Sequence, residues 1–187
     1  AVTDVRGGVH LEAERFARGH PDFAGVQSGD DFVARIEDWT LEGDVHPQLS
    51  LTLEAFEVDQ FGVQATILQE EPLVLQGDRG WSEKGPGSAS YYYSMPRLSI
   101  SATLNIEGRS VDVTGLAWLD REWSTSLLGE NLAGWDWFAL QLDDGRSVMA
   151  FQLRRKDGSR DPYDHGLEVV HPQLPDVKVA DSNTQGM

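Results

Sequence analysis

"LSISATLNIEGRSVDV", Leu98 to Val113, is the stretch that decides the fold. Leu98, Ile100, Ala102, Leu104 and Ile106 take every second position, with Ser99, Ser101, Thr103 and Asn105 between them. Successive side chains on a strand point to opposite faces, so a period of two marks a strand with one buried face. A helix would space its apolar residues three and four apart. Glu107-Gly108 interrupts the run, and Val111 and Val113 resume it. Glycine adopts the positive φ that a two-residue hairpin needs, so the stretch reads as two antiparallel strands joined by a tight turn.

The alternation recurs on both sides. Upstream lie Phe32, Ala34 and Ile36, leading into Asp38-Trp39, then Leu49, Leu51, Leu53 and Ala55, then Phe61, Val63, Ala65 and Ile67. Downstream, Ala117 extends the second strand, followed by Trp135, Trp137 and Ala139, then Val148, Ala150 and Gln152. Asp143-Asp144-Gly145-Arg146 reads as a second tight hairpin, and His46-Pro47 and the span from Gly77 to Gly87 as longer loops. Many short strands with polar punctuation predict an all-β antiparallel barrel or sandwich. The expected organisation is one β domain over residues 1–171, then an irregular tail over 172–187, where alternation fades into DSNTQGM.

Composition narrows the partners. Acids outnumber bases 31 to 15, for a formal charge of -16. Such a surface repels phosphate backbones and anionic headgroups, which argues against nucleic acid as a partner. There is no cysteine, so disulfides and thiolate metal sites are excluded. No apolar run is long enough for a membrane-spanning helix. The five histidines are scattered and form no zinc motif, and Asp161, Asp164 and His165 read as solvated loop residues. No phosphate-cradling glycine spacing occurs either. Neither a metal nor another cofactor is expected.

Four of the six tryptophans crowd into Trp118 to Trp137, together with Asp120, Arg121, Glu122 and Asp136. Alternation puts Trp118, Asp120 and Glu122 on one face, opposite Arg121 and Trp123, and Trp135 and Trp137 on one face, opposite Asp136 and Phe138. Whichever face turns inward, a charged group goes with the rings. A carboxyl walled by indoles is expected to hold its proton longer and to serve as an acid, unless an arginine keeps it ionised. Arg121, Arg97 and Arg79 are the candidate partners. Tyr91 and Tyr93 fall on one face and Tyr92 on the other, and a phenol reaching a lumen can hold water or a substrate oxygen. The plainer alternative is an aromatic core with a charged clasp between loops. A serine hydrolase lacks the G-x-S-x-G elbow, leaving Ser94 as the candidate nucleophile.

The segments LQGDRGWSEKG, ASYYYSMPRL, VTGLAWLDREWS and GWDWFALQLDDGRSVMAFQLR, taken in order, resemble the AttH/CrtC-like lipocalin family, over about residues 1–155. That family includes bacterial secreted hydrolases and carotenoid 1,2-hydratases (hydroxyneurosporene synthase). Fungal kievitone hydratase and lipocalin-like Diels–Alderases look like more distant relatives. The resemblance implies two consecutive lipocalin-like barrels around an apolar cavity, and a secreted or periplasmic location. Against that pattern the chain is expected to be an incomplete or shortened version, whose open strand edges a second copy or another chain would complete.

The reading that joins these observations is a lipocalin-like enzyme binding a hydrophobic, isoprenoid- or lipid-like molecule. It would hydrate or isomerise an alkene with acid assistance and without a cofactor. Asp136, Glu122 or Asp120 would supply the proton, Arg97 and Arg121 would orient the carboxylates, Tyr92 or Tyr93 would hold water, and Trp118, Trp135 and Trp137 would form the apolar wall. An ester or lipid hydrolase using Ser94 and a non-catalytic carrier of a lipophile are the rivals.

Overall fold

The structure is a computed structural model. It describes the chain apart from residues 30, 58–60, 86, 126–128, 160–166, 172–173 and 179–187, and gives backbone pairing alone for 167–171 and 174–178. Asp161, Asp164, His165 and most of the expected tail therefore lie outside the described residues.

Among the described residues every element is a strand: β1 (Val2–Asp4), β2 (Val9–Leu11), β3 (Ala24–Gln27), β4 (Phe32–Ile36), β5 (Trp39–Asp44), β6 (Ser50–Glu57), β7 (Phe61–Gln69), β8 (Val74–Leu75), β9 (Trp81–Gly85), β10 (Ser88–Ile106), β11 (Arg109–Trp123), β12 (Leu132–Gln141), β13 (Ser147–Arg155), β14 (Leu167–His171) and β15 (Leu174–Lys178). All registered pairings are antiparallel, so the all-β, lipocalin-like expectation holds. Among the described residues no helix is long and apolar enough to cross a membrane.

The chain divides into two compact units: residues 1–70 with 98–117, and residues 71–97 with 118–187. Alternation alone could not show this, because β10 and β11 are continuous strands that supply residues to both units. Two loop expectations are corrected. Trp81–Gly85 inside the span from Gly77 to Gly87 is a strand, and so is Leu174–Lys178 inside the expected tail. Both are short, and their charged residues and glycine or proline resemble turn signals.

In the first unit, β3 to β7 form a meander, and β7 pairs with β10 from Leu98↔Gln69 to Ile106↔Phe61. Leu49, Leu51, Phe61, Ala65, Leu98, Ala102 and Ile106 are buried, the phase that the alternation implies. Each large side chain hidden this way contributes about 1.5–3 kcal/mol. Glu107 and Gly108, with φ of 48° and 77°, make the tight turn between β10 and β11. Arg15 draws the N-terminal segment onto this unit: its guanidinium pairs with Asp38, accompanies Glu57 at 3.3 Å and lies 4.4 Å from the Trp39 ring centroid.

In the second unit, β8 and β9 pair with the first part of β10, and β12 to β15 form a second sheet. Asp78 and Trp81 bracket a tight turn, with Trp81 N donating to Asp78 O at 3.0 Å. The second predicted hairpin forms as expected, with Leu142 N donating to Arg146 O at 2.7 Å and Gln141 paired with Ser147. Pro96 sits in the middle of β10, where its missing N–H would normally cost a ladder bond. It falls between Ser94, the last residue paired with β8, and Leu98, the first paired with β7.

Gly43 in β5 has φ of +138°, and a Cβ there would lie 2.2 Å from the Ser50 carbonyl oxygen. Gly43→Ala is expected to destabilise the chain by roughly 1–3 kcal/mol, through both strain and collision. Urea denaturation followed by circular dichroism measures it, and an unchanged midpoint would contradict the close approach.

Candidate functional site

The second unit contains an open cavity of about 410 Å³. Its walls are set by strand phase. On β10 the inward positions are Ser90, Tyr92 and Ser94, all buried. On β12 and β13 the cross-strand partners Trp135↔Leu153 and Trp137↔Phe151 bring two indoles against apolar neighbours. Lys84 of β9, together with Glu122 and Trp123 at the end of β11, completes the lining. The volume falls within the ~300–1,000 Å³ usual for small-molecule sites, and rings dominate the surface.

The polar groups form two short chains of contacts. In the first, Ser90 Oγ donates to Glu122 Oε1 at 2.5 Å, and Lys84 Nζ reaches the same oxygen at 3.0 Å. The Lys84 ammonium also lies 4.8 Å from the Phe151 ring centroid and 5.6 Å from that of Tyr92, which places it in the favourable field of both ring faces. In the second, Gln76 Nε2 donates to Ser94 Oγ at 2.8 Å, Ser94 donates to Asp120, and the Tyr92 hydroxyl is hydrogen-bonded to Asp120 as well. Trp137 Nε1 donates to the Tyr92 oxygen at 3.3 Å. Burial of Tyr92 and the carboxylate of Asp120 together push the phenol well above its ordinary range. The phenol is thus held in its neutral form, as a fixed hydrogen-bond donor.

The structure brings together Tyr92, Glu122, Trp135 and Trp137 at the cavity, with Asp120 and Ser94 directly behind Tyr92. Trp118 does not line the cavity but packs edge-on against Trp137, with centroids 6.4 Å apart. The remaining residues lie elsewhere. Asp136 is exposed and its nearest cation is Arg154, at 3.5 Å. It shares its face with Phe138 and Leu140, and that face is open, with Phe138 56 % exposed. β12 is apolar on both faces, so its pattern could not tell which one turns toward the cavity. Tyr93 is on the opposite face of β10 from Tyr92 and packs edge-on against Trp123. Arg97 orients neither Asp120 nor Glu122: its Nε lies 3.0 Å from the buried Glu71. Arg121 is exposed and, among the described residues, has no carboxylate partner; Arg79 pairs with its neighbour Asp78. Ser94 is 1 % exposed and its hydroxyl is engaged by Gln76 and Asp120, an arrangement without the accessible hydroxyl and histidine of a serine nucleophile.

Sequence reasoning missed Lys84, Phe151, Gln76 and Glu71. Lys84 had a signal: in WSEKG, Ser82 and Lys84 alternate with Trp81 and Glu83. Reading the segment as a loop hid it. Glu71 and Ser147 are both buried, and Ser147 Oγ donates to Glu71 Oε2 at 3.4 Å, so the Arg97–Glu71 pair ties β10 to the β12–β13 hairpin that carries the indoles.

Comparison with known proteins agrees with this architecture. The model of the AttH-like family matches residues 1–174. The chain belongs to the AttH-like family. Among solved structures, it is similar to an AttH from Nitrosomonas europaea determined at 2.00 Å resolution, with 39% identity and a TM-score of 0.61. The match covers 75% of this chain and 46% of that one, so the AttH-like chain spans less than half the length of this relative. No curated protein matches.

Tyr92 yields a prediction with a definite sign. Its raised folded value means that the neutral phenol is favoured by folding; this stability is complete below the unfolded value near ~10 and is lost as pH rises from there toward the folded value. Spectrophotometric titration of tyrosinate up to pH ~11 should therefore give the same amplitude for the wild type and Tyr92→Phe. A smaller amplitude in Tyr92→Phe would show that Tyr92 ionises normally.

Proposed function

We propose that this AttH-like chain binds a hydrophobic, isoprenoid- or lipid-like small molecule in the cavity of its second unit. The observation that carries the reading is the cavity itself: Trp135, Trp137, Phe151 and Leu153 supply an apolar wall, and a small set of polar groups meets it at Lys84, Glu122 and Tyr92. Trp135 and Trp137 remain 58 % and 40 % exposed. Apolar area left open beside a concavity is where a hydrophobic ligand gains most from displacing water.

Binding is favoured over acid-assisted hydration by the directions of the hydrogen bonds. Glu122 accepts from Ser90 and is paired with Lys84, and Asp120 accepts from Ser94. Both carboxyl groups act as acceptors in this arrangement. The Tyr92 phenol is a weak donor whose proton is held by burial and by Asp120. Protonating an alkene carbon asks for a strong, neutral acid facing the apolar wall, and Asp136 faces Arg154 instead.

The test is titration with farnesol, followed by tryptophan fluorescence and by native mass spectrometry. Saturable binding at one site is expected. Trp135→Ala and Trp137→Ala should each weaken it by roughly tenfold or more, the effect of losing about 1.4 kcal/mol of contact. Asp136→Asn should leave it within about twofold, because that side chain faces away. Absence of saturable binding, or a large effect of Asp136→Asn with none from the tryptophans, would put the ligand elsewhere.

A further inference from the structure

We infer that the Lys84–Glu122 pair makes the cavity selective for a lipophile carrying a neutral hydroxyl, and against one ending in a carboxylate. The inference rests on the cavity being a lipophile site and deepens that reading by naming the polar group. Lys84 and Glu122 are the two charged residues among the described lining. They neutralise one another at 3.0 Å, with side chains 22% and 41% exposed, so the pair sits at the cavity wall without full contact with water. A hydrocarbon laid over them would strip water from both charges and return nothing.

The hydrogen-bonding inventory leaves one donor–acceptor arrangement open. Glu122 Oε1 takes both the Ser90 hydroxyl and the Lys84 ammonium. Among the described residues, Glu122 Oε2 accepts no hydrogen bond, and its lone pairs remain available. The Lys84 ammonium carries three N–H groups, of which Glu122 takes one; the Phe151 and Tyr92 rings attract its charge at 4.8 and 5.6 Å without accepting a conventional hydrogen bond, so N–H groups remain for a ligand oxygen. An alcohol has one O–H to give and lone pairs to accept with. It can donate to Glu122 Oε2 while accepting from Lys84 Nζ, so it satisfies both members of the pair. A ketone can only accept. A carboxylate can only accept as well, and it would bring a second negative charge against Glu122 where Lys84 is already compensated. The acidic surface adds to that repulsion at long range.

The experiment compares farnesol with farnesoic acid on the full chain at neutral pH, by tryptophan fluorescence and competition in native mass spectrometry. The wild type should bind the alcohol about tenfold more tightly than the acid or better. Glu122→Gln keeps the size of the side chain and removes its charge, which leaves Lys84 uncompensated. Affinity for the acid should then rise about tenfold relative to that for the alcohol. Lys84→Met should widen the preference, since the acid loses its only cation. Equal affinities in the wild type, or a ratio that neither variant moves, would overturn the inference and leave the cavity reading standing. If the wild type binds neither molecule, the cavity reading falls and the inference falls with it.

Discussion

The arrangement depends on a strand phase that does not slip. β10 runs from Ser88 to Ile106, and its even-numbered residues turn inward along the way: Ser90, Tyr92, Ser94, Pro96, Leu98, Ala102 and Ile106 are buried. A shift of one residue would exchange Tyr92 for Tyr91 or Tyr93 and expose the leucine and isoleucine stripe to water. Leu98 to Ile106 are paired with β7, and Ser90 to Ser94 run along β9 and β8.

The polar groups of the second unit are arranged in a way that makes their burial tolerable. Ser94 and Tyr92 both give their protons to Asp120, Gln76 gives one to Ser94, and Trp137 gives one to Tyr92. A buried hydroxyl without a partner costs about 1–3 kcal/mol, so a connected chain of this kind constrains the rotamers of all its members. It also fixes the edge of the indole of Trp137, one wall of the cavity. On the other side, Arg97 and Glu71 secure the hairpin that carries both tryptophans. Breaking such a pair from one side leaves a buried charge alone, which typically costs about 3–5 kcal/mol. The cavity is open to a ligand because its frame is closed by these contacts.

The split between prediction and outcome follows the same logic. Strands with one strongly apolar face were legible: β4, β6, β7, β11, β13 and most of β10 lie where alternation put them, and so do both hairpins. The strands of the described residues include several that carry mixed or short patterns, and β9 was hidden for that reason. Candidate residues followed the same rule. Tyr92 and Glu122 were found because aromatic and acidic residues are conspicuous, whereas Lys84 and Gln76 resemble ordinary surface residues. Asp136 was misplaced because β12 offers apolar side chains on both faces, and Arg97 because an arginine with several acids in reach can pair with any of them. Its actual partner, Glu71, lies 26 positions upstream by the difference of their numbers and gives no local sign of burial.

By itself the sequence determined the all-β character, the alternation that says which residues of a strand could share a face, and the net charge of -16. These are local or additive properties: side-chain period and charge are written residue by residue. Only the tertiary structure decided which of two apolar faces became the cavity wall, which arginine met which carboxylate, and that Lys84 and Glu122 stand 3.0 Å apart among aromatic rings. Pairings between distant strands settle such matters. A contact across 38 positions depends on register and twist summed over several strands, which no short window of sequence contains.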